Sequence, residues 1–133
     1  MIDKVDYWFS IAEHDYRPMY NLFDAGNYDW CLFLSHLILE KLIKAVHCQN
    51  LPDVPVLKIH DLVRLTVKAG IPISDKQEGL LEKFTGFQMA ARYPEDKRDF
   101  YKVCTKEYTL SALNEFEEIK EWLTSILNRK FST

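Results

Sequence analysis

The sequence predicts an all-α fold: an up-and-down helical bundle of about five helices, four long and one short, forming a single domain over residues 1–133. Three observations predict it. Apolar residues recur at steps of three and four along most of the chain, the spacing of one helix face. Only 4 glycines and 5 prolines punctuate it. The composition, 47% hydrophobic and 28% charged, suits a packed core under a solvated shell rather than disorder or a loop-rich sandwich. No strand pattern, internal repeat or low-complexity tract competes with this reading.

Helix A follows from Val5, Phe9, Ala12, Tyr16, Met19 and Phe23, which alternate steps of four and three. Pro18 lies inside it; the missing backbone donor costs about 3 kcal/mol and predicts a kink or break around residues 14–18. In "DAGNY", Gly26 suits a left-handed cap and Asn27 can start the next element. "YDWCLFLSHLILEKLIKAVHCQ" is apolar nearly all round, so it must be covered on several sides and is the central helix B. Its length approaches a membrane span, but Ser35, His36, Glu40, Lys41 and Lys44 interrupt its middle and make it a soluble core helix.

"NLPDVPVLKIHD", with two prolines, reads as an extended connection, and "HDLVRLTVKAG" as a short helix C stopped by Gly70 with Pro72 beyond. Ser74 and Gln77 have capping-box spacing and open helix D, which carries Leu80, Leu81, Phe84 and Phe87 at helical period. Gly79 and Gly86 weaken it by roughly 1 kcal/mol each relative to alanine. "MAARYPEDKR", residues 89–98, reads as a loop rich in functional chemistry. From about Thr105, Ala112, Leu113, Phe116, Ile119, Leu123 and Ile126 define a long helix E with its charges turned to water.

The formal net charge is −3, so no overall positive field draws the protein onto nucleic acid or acidic membranes, and any nucleic-acid contact must be local. "MIDKVDYWFS" lacks the basic region and apolar core of a secretory signal, which predicts a cytoplasmic protein. Cys31, Cys48 and Cys104 are odd in number, far apart and in no CxxC arrangement; they read as reduced thiols serving as small core residues.

Polar residues on helix B are not scattered. His36, Glu40, Lys44 and His47 follow steps of four, four and three and form one stripe. Because an unpaired buried charge is costly, the stripe is either a solvated seam between neighbouring helices or one wall of a polar cleft or dimer seam. Glu40 to Lys44 has the favourable order for a helical ion pair. No metal is implied, since His36 and Glu40 would need further ligands and His14, His47 and His60 offer no recognised spacing. No cofactor is implied either: P-loop, dinucleotide fingerprint and nucleophile-elbow motifs are all missing from the sequence.

Asp61, or its neighbour His60, suits the cap of helix C. Arg92 can hold a phosphate through two donors, and the adjacent Tyr93 offers a ring for base stacking. Lys97 and Arg98 add positive charge that Glu95, Asp96 and Asp99 offset. The competing reading pairs Arg92 with Glu40 or an acidic residue of helix E, tying the segment down.

"GNYDWCLFLSHLILEKLIKAV", "KIHDL" and "ARYPED", in this order and at these separations, resemble the HEPN family of small all-helical proteins. The resemblance spans roughly residues 5 to 125 and is most specific at E-K-x-x-K-A (Glu40 to Ala45), H-D-L (His60 to Leu62) and A-R-Y-P (Ala91 to Pro94). It implies a helical bundle, a homodimer, a partnership with a small nucleotidyltransferase and, in many branches, metal-independent ribonuclease activity. The family's ribonuclease signature is an arginine followed after four to six residues by a histidine. After Arg92 this chain has Lys97, Arg98 and Asp99 there, and no histidine follows His60. The usual general acid/base therefore has no obvious agent. In some members a nucleotidyltransferase adenylates a tyrosine after that histidine; Tyr93 matches it only by proximity.

Three functions follow as expectations. The first is a dimeric protein without standard ribonuclease activity that binds nucleotide or RNA phosphate and acts with a nucleotidyltransferase, using Arg92 and Tyr93 with His36, Glu40, Lys44 and His60 as neighbours. The second is a divergent ribonuclease in which His60 or His36 joins Arg92. The third is a structural protein-interaction or antitoxin-like module, as in toxin–antitoxin pairs. Homodimerisation is expected also because helix B is more apolar than one five-helix monomer easily covers.

Overall fold

The computed structural model describes residues 3–132, with the side chains of residues 94 and 96 outside the description. Among the described residues six helices make up the bundle: α1 (Lys4–Asp24), α2 (Tyr28–Asn50), α3 (Leu62–Lys68), α4 (Asp75–Arg92), α5 (Pro94–Val103) and α6 (Lys106–Leu127). No strand occurs among the described residues, and no helix is long and apolar enough to cross a membrane.

Helix ends are set by the chemistry the sequence advertises. Asp3 caps α1 by accepting from the amides of Val5 and Asp6, and Thr105 caps α6 through the amide of Tyr108. The Ser74/Gln77 capping box forms in full at the start of α4. Gly26 and Gly70 take φ of 81° and 79°, the left-handed conformation that ends α1 and α3. Asn27 is the N-cap residue of α2 but makes no side-chain cap bond.

Two expectations need correction. α1 runs unbroken through Pro18. The carbonyl freed by the missing N–H belongs to His14, whose side chain is exposed, on the side of α1 that water reaches. The segment 89–98 is not a loop: α4 extends to Arg92, the chain turns at an extended Tyr93 (φ −98°, ψ 125°), and Pro94 opens a sixth helix, α5. Proline is well suited to a first helical position, where its missing donor would be unpaired anyway.

α2 is the hub and packs against each of the other five helices. Its buried Cys31, Leu32, Ile38, Leu39, Leu42, Ile43 and Val46 join Met19 of α1, Phe84 of α4 and Phe116 of α6 in one continuous core. The premise that helix B needs a second subunit to cover it fails, because these side chains are buried within one chain. Cys31, Cys48 and Cys104 are free and buried, as small core residues.

Candidate functional site

The polar stripe of α2 is buried, not solvated: His36, Glu40, Lys44 and His47 retain 0%, 1%, 7% and 2% of their accessible surface. Burial demands partners, and Glu40 has them. Its Oε1 accepts from His60 Nδ1 at 2.7 Å; its Oε2 accepts from Lys41 Nζ and Lys44 Nζ, both at 3.1 Å. His36 Nε2 lies 4.0 Å from Oε1 and donates instead to the His60 carbonyl at 2.9 Å. Trp8 of α1 covers the lysines, its ring centre 5.5 Å from Lys41 Nζ and 5.2 Å from Lys44 Nζ. His47 stands apart and ties down the following connection by donating from Nε2 to the Val54 carbonyl at 2.8 Å.

Charge states follow from this geometry. Burial alone would push the Glu40 carboxyl up, but the His60 hydrogen bond and the Lys41 and Lys44 ammonium groups overcome it and hold it down at about 2. Burial pushes the His36 imidazole down, against the support of the His60 carbonyl and Glu40. A neutral His36 donating from Nε2 leaves Nδ1 as a bare acceptor, buried and with no hydrogen-bond partner among the described residues. A carboxylate only accepts, so the proton of the His60–Glu40 bond sits on His60 Nδ1.

His60 itself is placed by the start of α3. Asp61, not His60, is the cap, accepting from the Arg64 amide at 3.1 Å. The next amide, Leu62, donates to Thr85 Oγ1 of α4 at 3.1 Å. This fixes the H-D-L segment between α2 and α4. The His60 side chain stays 46% exposed while its Nδ1 is anchored inward. Its Nε2 takes no hydrogen bond among the described residues.

The structure thus joins His36, Glu40, Lys44 and His60 into one cluster, with Lys41 and Trp8 as members the sequence reading did not assign to it. Lys41 adjoins Glu40 and lies three residues before Lys44 on the same helix, which was the available signal for it; Trp8 comes from α1 and carried none. Arg92, the last residue of α4, and Tyr93, at the turn into α5, sit elsewhere. Both are exposed and make no described side-chain contact with the cluster. Arg92 lies seven residues past Thr85 on the same helical stripe, about 10 Å further along at 1.5 Å per residue.

The internal ion pair expected as the alternative for Arg92 does not form among the described residues. Glu40 is taken by Lys41, Lys44 and His60, while Glu115, Glu117 and Glu118 of α6 pair with Lys83, Lys120 and Lys76. α5 starts beside Arg92 with Pro94 at its first position and without a side-chain cap from Tyr93. Among the described residues no group of three or more His, Cys, Asp or Glu is arranged to hold a metal ion.

The family model for the HEPN domain matches residues 5–127. The chain belongs to the HEPN family. Its helical bundle is the one the family resemblance implied, with α5 as a short addition between two long helices. No curated protein and no solved structure matches this HEPN chain.

Proposed function

We propose that this HEPN protein is a cytoplasmic homodimer that binds nucleotide or RNA phosphate and acts with a nucleotidyltransferase partner. Arg92 grips the anion, Tyr93 stacks beside it, and His60 forms the second contact, held by Glu40 with His36 and Lys44 behind. The observation that carries this reading is the anchored, half-exposed imidazole of His60, in a segment tied through Leu62 to Thr85 on α4, the helix that ends at Arg92. With Nδ1 bound to a buried carboxylate, Nε2 can meet a phosphate oxygen as a donor when the ring is charged. Membership of a family tied to nucleotide and RNA chemistry points the same way.

Thermal unfolding with millimolar ATP tests it. Ligand at ten times its Kd raises the melting temperature by roughly 4–5 °C for a chain of this size. Arg92→Ala removes the rise and His60→Ala reduces it; no rise at millimolar nucleotide overturns the proposal.

The Glu40–His60 pair favours a second reading, a divergent ribonuclease. A carboxylate that fixes the tautomer of an exposed imidazole is the arrangement by which a histidine acts as general base. His60 then replaces the histidine that the segment after Arg92 lacks. Transfer RNA incubated in EDTA is cleaved by the wild type and not by His60→Ala; intact RNA at high protein concentration overturns this reading.

A further inference from the structure

On the far side of Trp8 from the core, the first turns of α1, the end of α2 and the connection 51–60 enclose a groove of about 440 Å³. That is the size of a small-molecule site. Tyr7 and Trp8 meet edge to face, their ring centres 5.0 Å apart at 83°, and form an aromatic corner in which Tyr7 stays 49% exposed. Val54 and Pro55 form the wall that the connection contributes. That wall is preformed: His47 holds the Val54 carbonyl, and the Val54 amide donates to the Leu51 carbonyl at 3.1 Å.

Lys4 and Lys58 stand in the lining, neither in an ion pair among the described residues, and no carboxylate lines the groove. Of the acids next to the lining residues in sequence, Asp3 caps α1 and Asp6 pairs with Arg129, while Asp53 precedes Val54 without lining the groove. Behind Trp8, two ammonium groups face one carboxylate, Glu40, which leaves that side positive as well. The lining is therefore largely apolar and cationic.

We propose that this groove is a second binding site, separate from Arg92 and His60, for a planar aromatic anion. The ring packs in the Tyr7–Trp8 corner against Val54 and Pro55, and the anionic group lies between Lys4 and Lys58. Such an anion is either a nucleotide or a small aromatic acid.

Calorimetric titration of the full chain with naphthoate tests the site. One saturable site is expected with a Kd below about 1 mM, weakened at least about fivefold in Lys4→Ala/Lys58→Ala, in Tyr7→Ala, and for neutral naphthalenemethanol on the wild type. These side chains are exposed or at the groove edge, and circular dichroism confirms that the variants fold. Displacement of naphthoate by AMP identifies the nucleotide as the occupant; saturable naphthoate binding that AMP leaves intact identifies an aromatic acid. No saturation, equal binding by the groove variants, or loss of binding only in Arg92→Ala overturns the proposal, and the last outcome does so without touching the Arg92 reading.

Discussion

At the scale of single residues, Glu40 decides the character of the centre. A carboxylate with 1% of its surface accessible survives as an anion only because two ammonium groups and an imidazole N–H face it. Its carboxyl is held at about 2, below the ordinary 4.5, so the stability it contributes is present above pH 4.5 and is lost as pH falls toward 2. His36, also shifted down, acts in the same direction from a higher starting point: its contribution is complete above pH 6.5 and fades below it. Urea unfolding across pH should therefore fall in two stages. Glu40→Gln is expected to cost about 3–5 kcal/mol at pH 7 and to flatten the stage between pH 4.5 and 2, while His36→Gln flattens only the stage beginning near pH 6.5. A wild-type profile that is level from pH 7 to 3 refutes this account. The stripe itself was legible, because steps of four and three align residues on any helix. Its burial was not, since that depends on where His60 and Trp8, 20 and 32 residues away in sequence from Glu40, come to rest.

At the scale of the elements, capping chemistry was the most legible layer. Ser74 with Gln77, Asp61, Thr105, Gly26 and Gly70 each do locally what their side chain or backbone freedom favours. What could not be read was α5. Among its described side chains Phe100 alone is buried, its sequence has no apolar period to announce a helix, and its proline reads equally as a stop or as a first turn. The same elements expose a stability reserve in α4. Gly79 and Gly86 lie inside that helix on exposed positions, and a Cβ added at either meets no atom within 4 Å. Gly79→Ala and Gly86→Ala are each expected to stabilise the fold by about 0.5–1 kcal/mol through helix propensity and loss of unfolded-state freedom. Their effects should add. A melting temperature that stays level or drops in both variants shows that α4 needs its glycines for something other than folding.

At the scale of the whole molecule, the bundle with α2 at its centre follows from patterning, because a helix apolar nearly all round has nowhere else to sit. The same patterning suggested a second subunit to cover α2, and there the reading overreached: the added α5 contributes to a cover that is complete within one chain. The proposed homodimer must therefore use a different surface. Exposed large apolar side chains gather toward α4, α5 and the start of α2, with Trp30, Met89, Tyr93, Tyr101 and Val103 all between 43% and 66% accessible. Lys97 lies over the Trp30 ring at 4.6 Å, which links α5 to the first turn of α2 on this side. A dimer closed through these residues would set the two copies of Arg92 near the interface. Light scattering should then give twice the chain mass at micromolar concentration, and Met89→Glu/Tyr101→Glu should give a folded monomer, since two desolvated carboxylates from each copy at such an interface cost several kcal/mol. If the wild type is monomeric, or the double variant stays dimeric with its circular dichroism intact, the second copy does not sit on this face, and the Arg92 contact must act from a single chain.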